Sequence, residues 1–243
     1  MRAVQWKALA PLLLAALAGS AAATEDTGTP GNGMWEINVG IGGQRSSGMW
    51  ELTAPETDFN YGWGENAQLV LGLQRVQLRE RGQDPVRGWG SATAGVKWRF
   101  ADQDKSGIDL ALFPAFSWNP SSSAERRGLV EPGRSLVLPL VVGFRRGGTG
   151  WYAEAGRNLI EDGDDEWLAG FKVTHACLPS VECRVELQHS VVRRQFGHTE
   201  ASAGFKWSLS GNLILQASAG RDLHPHDATQ NQVVVYIGIQ LLR

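Results

Sequence analysis

Ionisable side chains recur at every second position within otherwise apolar segments, and that spacing is the main chemical signal of this chain. Lys97 and Arg99 alternate with Val96, Trp98 and Phe100; Arg184 and Glu186 alternate with Cys183, Val185 and Leu187; Glu36 and Asn38 alternate with Trp35, Ile37 and Val39. Residues two apart on an extended chain share a face, so such groups line up along one side of a strand. Extending the pattern adds Glu51, Asp58, Asn60, Gln68, Asp109, Arg145, Glu154, Lys172, Glu200 and Lys206 to that face. Charges of both signs on one surface point to two chemistries. They can line a pore that selects solutes by field and hydrogen bonding, or they can pair into a ladder that fills a narrow interior and fixes register.

Other chemistry-bearing residues carry weaker signals. Asp58-x-Asn60 with Glu36 would form an acidic and amide cluster if the first two strands pair, able to hold a small cation or polar ligand. The simpler reading is hydrogen bonding to lumenal neighbours or to backbone at a bulge set by Pro55. Cys177 and Cys183 flank a short turn containing Pro179, so a disulfide is expected to staple that hairpin. His175 is the sole nearby further ligand, too few for zinc, and His224 and His226 with Asp222 and Asp227 read as a solvated loop; no metal is expected. His189 and Ser190 are adjacent in one strand and face opposite sides, which defeats a nucleophile and base pair. Gly31-x-Gly33 opens no helix, so no phosphate loop and no cofactor is expected, and the chain is not read as an enzyme.

The elements that must position these residues are strands. Alternation is also clear at Ala92/Ala94/Val96/Trp98/Phe100, at Ala201/Ala203/Phe205/Trp207 and at Val233/Val235/Ile237/Ile239/Leu241. About twelve such segments are expected. Short spacers such as Gly64-Glu65 and Ser210-Gly211 alternate with longer polar ones such as Asn119–Gly133 and His224–Asn231, as in an up-and-down meander. Glycine and serine concentrate on the polar face while tryptophan, phenylalanine and leucine occupy the other. Small residues suit a crowded concave interior, so the greasy face is placed outside. Tryptophans near strand ends fit an interfacial girdle. An exported sandwich or lipocalin-like barrel, with these aromatics in its core, is the alternative.

Composition agrees. The 243 residues include 30 glycines, against an average share of roughly 7%. A formal charge of −2 offers no basic face, so nucleic acid is not an expected partner. Outside the N-terminus the longest apolar run is Ser135–Phe144, short of the roughly 20 residues a spanning helix needs. Residues 1–23 read as a signal peptide: Arg2 and Lys7 are basic, Ala8–Ala18 is apolar, and Ala21-Ala22-Ala23 fits a cleavage site before Thr24. Residues 24–33 read as a disordered leader, and 34–243 as the barrel.

The runs Gly31-Asn32-Gly33-Met34-Trp35-Glu36-Ile37-Asn38, Pro55-Glu56-Thr57-Asp58-Phe59-Asn60-Tyr61-Gly62 and Gln68-Leu69 resemble the bacterial outer-membrane family labelled as transporter or meta-pathway phenol-degradation proteins. The likeness spans Thr29–Leu73. It implies an outer-membrane β-barrel in contact with lipid, and through the family label a passive channel for small solutes, aromatic or hydrophobic ones included. A structural or surface-binding barrel without transport, or an outer-membrane lipid hydrolase, are the other classes.

Overall fold

The computed structural model describes residues 24–46, 48–193, 195–223 and 233–243. The expected signal peptide and the His224/His226 loop lie outside the described residues. Period-two alternation becomes strand along nearly the whole chain: β1 (Trp35–Ser46), β2 (Met49–Trp63), β3 (Ala67–Glu80), β4 (Val86–Ala101), β5 (Asp109–Leu112), β6 (Ala115–Trp118), β7 (Ser135–Arg146), β8 (Thr149–Ile160), β9 (Glu166–Leu178), β10 (Val181–Val192), β11 (His198–Ser210), β12 (Leu213–Asp222) and β13 (Val233–Leu242). Two short helices, α1 (Gln103–Ser106) and α2 (Ser122–Arg126), sit in connections. Among the described residues no helix is long and apolar enough to cross a membrane.

Consecutive strands pair antiparallel, and the first pairs with the last, Val39 opposite Ile239 and Ile41 opposite Ile237. Closure satisfies every strand edge, which a bilayer demands because it offers no water to the backbone. β5 and β6 occupy one place in the wall between β4 and β7, so the 13 strands make a 12-strand barrel. Phe113 and Pro114 separate the two halves. Proline has no N–H to give the ladder; instead the carbonyl of Pro114 accepts from Val96 and the amide of Phe113 donates to Pro139. A register shift between Thr53 and Glu56 marks the bulge expected at Pro55.

The wall is inverted relative to a soluble barrel. Along β13 exposed and buried residues alternate strictly from Val233 to Leu241, with Val233, Val235, Ile237, Ile239 and Leu241 out and Val234, Tyr236, Gly238 and Gln240 in. Trp98 and Ile237 are each 53% exposed, whereas Lys97 is 4% exposed. Aromatic residues form two rings. Trp35, Trp63, Trp98, Trp151 and Trp207 lie at the end carrying the short turns and both strand termini of the barrel; Trp50, Trp89 and Trp167 lie at the end carrying the longer loops. One departure from the expected asymmetry is the β1–β2 connection, which is on the loop side yet only two residues long. Ala92 keeps the register of outward Ala94, opposite Leu73 and Trp118, yet is itself buried.

Small residues sit where large inward ones need room. A side chain on Gly40 or Gly238 would collide with the Tyr236 hydroxyl, at 2.4 and 2.3 Å. The expected disulfide is present between Cys177 and Cys183, across the β9–β10 hairpin. Ile237→Arg, at mid-strand on the outer wall, is expected to cost about 2–4 kcal/mol of stability in lipid, read from denaturant titration of the protein folded into vesicles.

Candidate functional site

The lumen is occupied by the chain's own first described residues. Thr24–Gly33, expected from its polar, aperiodic sequence to be a disordered leader, instead lies ordered against the inner wall. Its fold-back is set at the turn end of the barrel: Gly31 and Gly33 both have positive φ, a conformation glycine adopts without strain. Gly33 donates to the Gly62 carbonyl and Gly62 to that of Met34. Gly62 must itself be glycine, since a Cβ there would fall 1.7 Å from the Gly31 oxygen.

From that turn the segment runs inward. Thr29 Oγ1 donates to the Glu65 carbonyl (2.9 Å) and Thr27 Oγ1 to Asp109 Oδ2 (3.2 Å). Glu25 ion-pairs with Lys97 at 2.7 Å, its amide donates to Glu154 Oε2 at 2.8 Å, and Asp26 stands 3.9 Å from both Lys97 and Lys172. Thr24 is 1% exposed. Its nitrogen donates to Glu186, its carbonyl accepts from Lys172, and its hydroxyl accepts from Gln188 at 3.4 Å. Two of the lumenal lysines also lie over an aromatic face, Lys97 on Phe113 and Lys172 on Tyr152, both at 5.2 Å.

Burial deep in the barrel pushes the Asp26 carboxyl up, but Lys172, Lys97 and Lys206, with the Gly28 amide, outweigh it and hold the group well below the usual carboxylate range. The lysine cluster therefore binds this segment as an anion.

Beside the segment remains a cavity of about 210 Å³, lined by Glu36, Asn38, Asp58, Asn60, Gln68, Lys97, Lys172, Arg184 and Lys206 among others. The Asp58-x-Asn60 motif and Glu36 do come together, as the β1–β2 register of Asn38 opposite Asp58 and Glu36 opposite Asn60 requires. Amides occupy their oxygens: Asn38 donates to Asp58 (3.0 Å) and Glu36 (3.1 Å), Asn60 donates to Asp58, Gln68 to Asn60 (2.6 Å) and Gln216 to Asn38 (2.9 Å). Hydrogen bonds from neighbouring strands link this network.

The remaining expected residues separate by depth. Arg99 and Arg145 lie at the turn-end mouth, where Arg99 meets Asp102 (3.4 Å) and the exposed Arg145 reaches the fully buried Asp109 (3.5 Å). Glu51 is half-buried near the loop end. Glu200, also toward the loop end, faces Asp222 directly across β11–β12, and His198 Nε2 is 3.1 Å from Asp222 Oδ1. Ligand-type atoms of these three lie within 4.8 Å of one another. His198 and Asp222 were not among the expected lumenal residues; recognising the cluster requires the β11–β12 register.

At the loop end, residues 119–133 fold over the wall. Asn119 Nδ2 ties the loop to itself through Glu125 (2.7 Å) and the Glu131 carbonyl (2.6 Å). Ala124 and Leu129 pack on inward-facing Val76, and Arg127 donates to the Arg87 carbonyl at 2.6 Å. The loop-end mouth is thus narrowed.

No protein-family model matches the chain, and no curated protein sequence matches it. Solved structures do. The COG4313 outer membrane channel from Pseudomonas putida F1 superposes with a TM-score of 0.69 at 12% identity, covering 91% of this chain and 100% of that one. The NanC porin gives 0.62 at 7% identity over 84% and 98%, and the KdgM porin, solved with disordered oligogalacturonate, gives 0.57 at 8% over 84% and 98%. The fold is therefore that of bacterial outer-membrane channel barrels, and the greasy exterior of the wall belongs in that membrane.

Gly170 sets the seat of Thr24, because a Cβ there would lie 2.4 Å from the Thr24 hydroxyl. Gly170→Val is expected to unseat the segment while leaving the wall closed. With Thr27→Cys as reporter, labelling by an impermeant maleimide should accelerate about tenfold or more, the factor that corresponds to about 1.4 kcal/mol.

Proposed function

We propose that this barrel is a passive outer-membrane channel for small solutes, held closed by its own N-terminal segment and opened when that segment leaves the lumen. The observation that carries this reading is the double pairing of the segment's Glu25 and Asp26 with Lys97 and Lys172 of the wall. These contacts fill the bore with groups that are charged and removable, whereas a purely structural barrel needs only pairs fixed in its own strands. The likeness to channel and porin folds supports the same class. The sequence resemblance to phenol-degradation and transporter proteins supports small aromatic or hydrophobic compounds as the solute. The inward packing of residues 119–133 disfavours an adhesive role, for which that loop would project.

Single-channel recording in planar bilayers tests the reading. The full protein should pass little current, and a variant lacking residues 24–30 should conduct several-fold more; equal and negligible current from both would overturn it. Liposome swelling with phenol against a hexose of similar osmolarity then reads the solute class.

Acid supplies a second test. Asp26 has its carboxyl held below the ordinary value of 3.8, so its contribution to closure is complete above that value and is lost as pH falls below it. Conductance of the full protein should stay flat from neutral pH to about 5 and rise below about 4. Asp26→Asn should remove Asp26's part of that dependence.

A further inference from the structure

The innermost contact of the lumenal segment is made by a main-chain nitrogen. Thr24 N donates to the carboxylate of Glu186, a residue itself 7% exposed, while Lys172 clamps the Thr24 carbonyl and Gln188 the hydroxyl. Gly170 leaves the space in which the threonine side chain sits. A peptide nitrogen brings Glu186 no positive charge, in a bore where carboxylates outnumber cations. The cavity lining holds four carboxylates and four cations, and Glu154 and Glu186, which receive the nitrogens of Glu25 and Thr24, come in addition. A buried carboxylate without a compensating cation is costly.

Thr24 is also the residue that follows the cleavage site read from the sequence, Ala21-Ala22-Ala23. Once residues 1–23 are removed there, its nitrogen is an α-amino group, cationic at neutral pH. We propose that Glu186, Lys172, Gln188 and Gly170 form a binding site for the chain's own α-ammonium, created by removal of residues 1–23, and that this ion pair locks the lumenal segment in place. The inference rests on the signal-peptide reading and deepens the closed-channel reading. Such a site recognises a freed N-terminus by the two features a peptide bond lacks, its charge and its extra donors. Precursor and processed chain then differ in the grip on the segment even though every wall residue is the same.

The test uses protein purified from outer membranes. Intact-mass measurement first establishes where the processed chain begins. An N-terminal threonine with a free amine is a 1,2-amino alcohol, which periodate cleaves with release of acetaldehyde. The folded protein should resist periodate about 10- to 100-fold relative to heat-unfolded protein in the same detergent, the range that a charge-assisted hydrogen bond corresponds to. Glu186→Gln should lose most of that protection and raise channel current, with heat-modifiable gel migration confirming that it folds. A second variant leaves the wall untouched: one alanine inserted after Ala23 displaces the ammonium and should raise current similarly.

A processed chain starting elsewhere than Thr24 overturns the proposal together with the cleavage site. A chain starting at Thr24 that oxidises equally fast folded and unfolded, or a Glu186→Gln protein as resistant as the parent, overturns the proposal and leaves cleavage standing. Protection lost in Glu186→Gln in a protein that never conducts supports the site and removes the channel.

Discussion

Charge compensation inside a closed wall governs this structure. The bilayer forces the apolar side chains outward and the strand edges together, so the polar face of each strand is turned into a common interior. Lys97 and Lys172 are buried there at 4% and 6% exposure, far from bulk water. Neither can stand alone, and their carboxylate partners Glu25 and Asp26 come from the first described residues of the same chain. The N-terminal segment is therefore part of the interior, its carboxylates paired with the buried lysines of the wall.

Two ways of satisfying polar groups divide the lumen. Around Asp58 the answer is local: Asn38, Asn60, Gln68 and Gln216, all from neighbouring strands, close a network of amides on carboxylates. Around Lys97 and Lys172 the answer is remote in sequence and depends on a segment with one free side. The first arrangement fixes strand register. The second provides a part that can move without unpairing the sheet, which is the property a gate requires.

Much of this was legible in the sequence, because period-two alternation is a local signal. The outward Trp98 and Ile237, the inward Lys97, the bulge at Pro55 and the Cys177–Cys183 staple each depend on residues a few positions apart. The placement of Thr24–Gly33 was not legible, because the segment has no periodicity and its wall partners lie from 29 to more than 160 residues away. The approach of His198, Glu200 and Asp222 depends on β11–β12 register, which alternation leaves open. The break at Phe113–Pro114 was missed for a related reason: the apolar and polar faces continue through it while only the hydrogen-bond ladder stops.

With residues 1–23 removed as proposed, what fills this barrel is an end of the chain and not a loop, held by a hairpin-like turn at Gly31–Gly33 beside the seam where β1 meets β13. A loop would have to be enclosed as the seam zipped. An end can be threaded afterwards, and withdrawn by the same path, without any strand passing around it. Assembly of the cylinder and filling of its bore are thereby topologically independent, and any passenger fused ahead of Thr24 would have to travel through the bore itself.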